Sequence, residues 1–360
     1  MSGLRAGVVG LGWAGRQHMI GYTACDGAEL VAICGLEDDL AAGRAAEFGG
    51  PDTFSSLDDL LANAELDVVS IATPTALHAP MTIQALDAGV HVLSEKPIAE
   101  TAARAAEMVE AAEGNNRVLD VSYNHRRRGV VKALRDAIAD GVIGDIYYAK
   151  AGWLRRRGIP GLGSWFTRKE SAGGGPFMDL GVHMADIVLH LLGEPAICTV
   201  TASTYAAFGP RGLGGSHGSA PPEASLQYEV EDLATAFCRT DTGVTVALEA
   251  SWAQWVPHEL CFVDLYGTEA GAHLEWGSPT SGERGQLTIM TDVKGHGAEI
   301  TPAIPPSGGH IACVDDFLQT VRSGEWTGAH GRLSLSRAAL IEAAYASAEQ
   351  RREVALPRKA

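Results

Sequence analysis

The chain has 360 residues, 46% apolar and 20% charged, a composition for soluble globular structure and, at this length, for two domains. Lys and Arg number 28 against 44 Asp and Glu, a net charge of −16, which argues against bulk nucleic-acid or anionic-membrane binding. No apolar run approaches the ~20 residues of a membrane helix and no signal-peptide pattern is read. The six cysteines are scattered with no C-x-x-C, which points to a reducing cytoplasm and to no metal site.

Arg5–Val9 reads as a short apolar strand, followed by Gly10-Leu11-Gly12-Trp13-Ala14-Gly15 and a helix from Arg16. This is G-x-G-x-x-G in its required setting. Gly10 permits the tight turn, Gly12 lets a pyrophosphate approach the backbone, and Gly15 lets helix and strand pack closely. The helix N-terminus faces the phosphates, so Gly10, Gly12, Trp13, Ala14 and Gly15 are candidate dinucleotide contacts. The next strand, Glu29–Cys34, ends in Gly35 where an acid for the ribose hydroxyls is usual. Glu37 is the nearest candidate ribose partner, and Glu37, Asp38 and Asp39 would repel a 2′-phosphate, which favours NAD over NADP. The same acids would also suit the start of a helix over Asp38–Phe48.

Asp67–Ala72 is a buried parallel strand closed by Thr73-Pro74, with a helix over Ala79–Ala88 and Gly89 as its C-cap. His91–Ser94 is the next strand and ends at Glu95-Lys96-Pro97; Arg117–Asn124 is the last of this half. Strands alternating with helices make a doubly wound parallel sheet, whose ligands sit at the carboxyl ends of strands. Thr73, Pro74 and Lys96 stand at such ends, and His78 is expected to line the cofactor cleft. The domain boundary is set at 1–125 and 126–360.

After an amphipathic helix over Gly129–Asp140 the pattern changes. Ile146–Trp153, Ile197–Ala206, Leu233–Arg239, Val244–Trp252, His258–Gly267 and Ala272–Glu275 read as strands without intervening helices, hence a mostly antiparallel sheet. Gly209–Ser219 reads as a glycine-rich loop, and helices close the chain near His310–Ser323 and Leu333–Arg352. Between the first two of those strands, Gly173-Gly174-Gly175-Pro176 forms a loop that delivers a helix from Met178 to Leu191. Asp179 and His183, four apart, share a helix face, with Asp186 three further on. A histidine beside a carboxylate is a proton-transfer unit; the plainer alternative is an Asp favouring the helix dipole and a His filling a gap. Arg126-Arg127-Arg128 and Arg155-Arg156-Arg157 stand out in an acidic chain, serving an anionic substrate, salt bridges or a subunit interface. His18, His91, His125 and His310 read as structural, and Trp252 and Trp255 as sheet packing, with stacking on a pyranose as the alternative.

With these residues in hand, the chain resembles the Gfo/Idh/MocA family of sugar and cyclitol oxidoreductases over nearly its whole length. The resemblance rests on Gly10-x-Gly12-x-x-Gly15, Ala72-Thr73-Pro74 with His78, Glu95-Lys96-Pro97, and Asp179-x-Gly181-x-His183-x-x-Asp186. It implies an α/β fold: an N-terminal Rossmann domain, then an α+β domain with a large, open, mostly antiparallel sheet through which homodimers or homotetramers form. It implies Lys96 and His183 as catalytic and Asp179 as their assistant. Ala72, Glu95, Asn124 and Trp165 would lie along the cofactor, and Asn124, Arg126 and Asp186 near substrate. NAD is the implied cofactor; Gly35 departs from the family's usual Asp and leaves NADP open. The chemistry is hydride transfer between a nicotinamide and a secondary hydroxyl or ketone of a sugar, glycoside or cyclitol such as inositol. The alternatives are an NAD-dependent glycosidase acting by transient oxidation, and a keto-reductase of a nucleotide-linked sugar.

Overall fold

Six short apolar runs build the first sheet. In the computed structural model, which describes residues 3–215, 227–279 and 281–357, these are β1 (Leu4–Val9), β2 (Ala28–Cys34), β3 (Asp52–Phe54), β4 (Val68–Ile71), β5 (His91–Ser94) and β6 (Leu119–Val121). They pair in parallel in the order β3-β2-β1-β4-β5-β6. β4 and β5 are buried along their whole length, as a parallel sheet covered on both faces requires. Helices α1 (Trp13–Ala24), α2 (Asp38–Glu47), α3 (Leu57–Asn63), α4 (His78–Asp87) and α5 (Ala102–Gly114) alternate with the strands. The strand order reverses between β1 and β4, the position at which doubly wound sheets bind ligands.

The chain divides into two compact units, Met1–Asn124 with Gly308–Ala338, and His125–Ser307 with Ala339–Ala360. The chain passes from the first unit to the second between Asn124 and His125, and residues 308–338 belong to the first unit. Packing explains this. Helix α9 (Gly309–Ser323) lies so close to α1 that a Cβ on Gly21 would stand 2.5 Å from Val314 Cγ2. Val314, Phe317 and Leu318 join Met19 and Tyr22 in one buried cluster.

The second unit is built on a sheet that, among the described residues, has nine strands. These are β7 (Ile146–Leu154), β8 (Ile197–Tyr205), β9 (Leu233–Thr240), β10 (Thr245–Ser251), β11 (Leu260–Gly267), β12 (Ala270–Trp276), β13 (Gln286–Val293), β14 (His296–Ile300) and β15 (Val354–Ala355). Their order is β14-β13-β12-β11-β7-β10-β9-β8-β15, parallel between β7 and β10 and antiparallel at the other pairings. Burial alternates along β9 to β12, so one face is covered and the other open. Helix α6 (Gly129–Ala139) packs on β12, and α8 (Val182–Leu191), buried nearly all round, packs on β7. β13 alternates only over its first half and β14 is solvated on both faces, so neither carries a sustained pattern in the sequence. The expected loop over Gly209–Ser219 contains a single 3₁₀ turn at Gly209–Arg211; its residues 216–219 lie outside the described residues.

Candidate active-site residues

In the first unit the three motif glycines prove to differ. Gly10 has φ +97°, and a Cβ there would lie 2.3 Å from the Ala72 carbonyl oxygen; one on Gly15 would lie 1.8 Å from that of Gly10. Both must be glycine for the chain's own sake. A Cβ on Gly12 would meet nothing within 4 Å, and Gly12 caps α1 with no side chain and no acid in the first turn. Thr73, at the carboxyl end of β4, keeps a buried hydroxyl with no hydrogen-bond partner among the described residues. An open backbone at a helix N-terminus and an unsatisfied hydroxyl at the next strand end fit a dinucleotide. Trp13 is 69% exposed at the head of α1, with its edge against the His310 ring at 5.3 Å.

The glycine that ends β2 is explained by Leu11. A Cβ on Gly35 would stand 2.4 Å from Leu11 Cδ1, so the space an acid would need is filled by the motif's own buried leucine. Glu37 is exposed at the N-cap of α2 and makes no side-chain capping bond. Arg44, which the sequence places well into α2, reaches back to donate to the Leu11 carbonyl at 3.2 Å and to Glu47 at 3.0 Å; Arg16 also pairs with Glu47.

His78 does not line an open cleft. It is buried, with Nδ1 2.8 Å from the Pro97 carbonyl and Nε2 2.9 Å from that of Thr73, and so braces the ends of β4 and β5. Burial lowers its pKa, which leaves one N–H for the two carbonyls. Glu95 is also internal. The Glu95 carboxylate accepts the His18 Nε2–H at 2.9 Å and the Lys96 backbone N–H at 3.1 Å. Behind it, Ser70 Oγ lies 2.8 Å from His18 Nδ1 and 2.9 Å from the Tyr22 hydroxyl. Burial pulls the Glu95 carboxyl up, but the His18 hydrogen bond and then the charges of His18, His310 and Lys96 more than offset it and hold the pKa at about 2. The backbone of Lys96 is thus tied to a buried anion, and the His18–Ser70–Tyr22 chain is a support that the sequence alone does not reveal. Asn124 Nδ2 lies 3.4 Å from His310 Nδ1.

In the second unit the helix expected from Met178 begins as a π-helical turn, Phe177–Gly181, and continues as α8. Such turns are rare and concentrate at functional sites. Asp179 Oδ2 accepts the indole N–H of Trp252 at 2.9 Å. Trp252, read from the sequence as packing, is fully buried just past β10 and is at the same time the hydrogen-bond donor that orients this carboxylate. The His183 ring, 5% exposed, meets the His125 ring at 4.5 Å and 82° and the Trp153 ring at 5.9 Å. Arg128 Nε donates to His125 Nδ1 at 2.8 Å, and the guanidinium lies 5.1 Å over Trp276. These rings fix the orientation of His183; they come from three separate segments, which is why no local pattern announces them. Trp165, half-buried, stacks on Phe166 at 3.8 Å in a short 3₁₀ turn.

Arginines of both clusters make contacts within the chain. Asp186, 1% exposed, receives Arg126 through both Nε at 2.8 Å and Nη2. Arg155 pairs with Glu259 at 3.1 Å, and Arg156 lies 5.7 Å over Trp255. Of the readings weighed for these residues, salt bridging is the one the geometry realises at Arg126 and Arg155.

Comparison with known proteins adds the following. A family model described as "Oxidoreductase family, NAD-binding Rossmann fold" matches residues 4–123, and one described as "GFO/IDH/MocA C-terminal domain" matches 131–273. The chain is 31% identical over 350 residues to D-glucoside 3-dehydrogenase of Escherichia coli K12, covering 97% of this chain and 96% of that protein. It is 26% identical over 355 residues to levoglucosan dehydrogenase of Pseudarthrobacter phenanthrenivorans, covering 90% of each. A solved structure of levoglucosan dehydrogenase in complex with NADH superposes with a TM-score of 0.86 at 23% identity, over 99% of this chain and 100% of that one.

Proposed function

Because the chain belongs to the Gfo/Idh/MocA oxidoreductase family, with its NAD-binding Rossmann domain, we propose that it oxidises a secondary ring hydroxyl of a pyranose or pyranoside to the ketone. Gly12, the N-terminus of α1, Thr73 and Glu37 would hold the dinucleotide. Bound NAD supplies the hydride acceptor. The chain's own residues handle the proton and the charge. His183 takes the hydroxyl proton as the C–O bond becomes C=O. Asp179, oriented by Trp252, stabilises the imidazolium. The Lys96 ammonium favours the oxygen as negative charge develops on it, an interaction stronger in the transition state than in the bound alcohol. The observation that carries this reading is the buried turn holding Asp179 against Trp252 and His183 against His125 and Trp153. With Arg126 and Arg155 engaged by carboxylates, a neutral polyhydroxyl ring is favoured over an anionic one. The similarity to D-glucoside 3-dehydrogenase supports the ring class. The free cysteines fit a cytoplasmic protein, and the open sheet face, where Tyr148 and Tyr266 stack at 5.5 Å, suits self-association, to be checked by light scattering.

The test is a screen with NAD of methyl β-D-glucopyranoside, levoglucosan, myo-inositol and UDP-glucose, following reduced nicotinamide. Turnover of the methyl glucoside is expected. Turnover confined to UDP-glucose would move the substrate to nucleotide-linked sugars, and release of methanol without net NADH would replace dehydrogenation by glycoside cleavage. Lys96→Ala should lower kcat by about 10²–10⁴-fold while NADH binding, read by fluorescence titration, persists; unchanged turnover would remove Lys96 from the reaction.

A further inference from the structure

The glycine loop ahead of the π-turn holds a buried carboxylate that the chemistry above does not use. Glu231, just before β9, is 8% exposed. Its Oε2 accepts the Gly175 N–H at 3.0 Å, and its Oε1 accepts the Phe177 N–H at 3.1 Å and the Tyr345 hydroxyl at 2.8 Å. Tyr345, from helix α10 (Arg332–Gln350), in turn accepts the Met178 N–H at 3.2 Å. Pro176, between the two donors to Glu231, has no N–H. Successive backbone donors from 175 to 178 therefore all point at one carboxylate–phenol pair.

The glycines exist for this arrangement. A Cβ on Gly174 would lie 2.2 Å from the Tyr345 oxygen, and one on Gly175 would lie 2.2 Å from the Glu231 carbonyl oxygen and 2.9 Å from its carboxyl carbon. Gly173, with φ +80°, ends the preceding short helix, Lys169–Ala172. The loop is a fitted socket for the buried Glu231 and the half-buried Tyr345 rather than a slack connection. Three N–H or O–H donors converge on Glu231, so the group that fits is the acceptor-only carboxylate.

We propose that Glu231, with Tyr345 behind it, is the positioning residue that fixes where the Phe177–Gly181 turn starts, and thereby the placement of Asp179 and His183. This rests on the reading of those two residues as the proton-transfer pair. The turn follows directly from the clamped N–H groups: Asp179 N donates to the Gly175 carbonyl at 3.0 Å, so a shift at Gly175 is passed to Asp179. Misplacement of a reacting group by about 1 Å can cost 10²-fold in rate.

Glu231→Gln keeps the volume but turns an NH₂ towards one of the three donors. Tyr345→Phe removes one donor and frees the Met178 N–H. Both are assayed on the full chain with NAD and the sugar identified by the screen, beside His183→Asn as reference. Expected are a kcat lower by about 10²-fold in Glu231→Gln and about tenfold in Tyr345→Phe, KM for the sugar within about threefold, and an unchanged NADH dissociation constant. A raised solvent isotope effect on kcat should accompany the loss, as proton transfer becomes limiting. A merely structural role would lower Tm and leave kcat per folded molecule alone, and that outcome overturns the proposal. Should Glu231→Gln not fold, Tyr345→Phe decides by the same criterion. Wild-type turnover in His183→Asn would instead sink the proton-transfer reading itself, whatever the clamp variants do.

Discussion

Two glycine-rich turns precede helices in this protein, and they do opposite things. In the first unit, Gly10 and Gly15 relieve contacts within the chain while Gly12 faces open space. In the second, the space over Gly174 and Gly175 is filled by Tyr345 and Glu231. The first turn leaves the N-terminus of α1 without a side-chain cap; the second gives its backbone N–H groups to Glu231 and Tyr345. A helix N-terminus left open binds an anion, whereas one closed by an internal carboxylate becomes a rigid mount for the residues that follow.

The contrast can be broken by adding side chains. Gly12→Val should weaken NADH binding at least tenfold, about 1.4 kcal/mol, with Tm unchanged, because nothing in the chain opposes the new side chain. Gly174→Ala should do the reverse, costing about 1–3 kcal/mol in stability and leaving NADH binding intact. Calorimetry and fluorescence titration on the two variants suffice; equal loss of stability in both would erase the distinction. Gly35→Asp sharpens it within the first unit. Installing the usual ribose acid must displace Leu11, so urea denaturation should show a loss of about 1–3 kcal/mol without tighter NAD binding. A gain in NAD affinity at unchanged stability would show that Leu11 yields easily.

A pH dependence of the first unit is expected as well. Burial, first, and then the Arg117 charge hold His91 near a pKa of about 4, and its unprotonated Nδ1 accepts the Val118 N–H at 2.9 Å. The unfolded value is about 6.5. Between those limits the unfolded chain binds the extra proton, so stability falls as pH drops from about 6.5 towards 4. His91→Asn, which can accept the same N–H without titrating, should flatten the dependence of Tm on pH; an unchanged slope would assign the acid sensitivity elsewhere.

Much of this was legible in the order of residues. The strand–glycine–helix start, the strand ends carrying Thr73 and Lys96, and the change to helix-free strands after residue 146 are local or periodic patterns, and the architecture follows them. Other features were not. His78 and Glu95 look like cleft residues in sequence, yet one braces two strand ends and the other is gripped by His18. Trp252 gives no hint that its indole N–H serves Asp179, 73 positions earlier. Helix α9 carries no mark that Val314 belongs against Gly21.

By itself the sequence determined most of the elements, their alternation in the first unit, the glycine turn and the chemical types available for a proton transfer, because propensity, periodicity and glycine's conformational freedom act over a few residues. Only the tertiary structure decided which polar groups are satisfied by one another and which are left for a ligand. That is a property of burial: a carboxylate or an N–H is committed once the chain has closed around it, and its partner can come from anywhere along the chain.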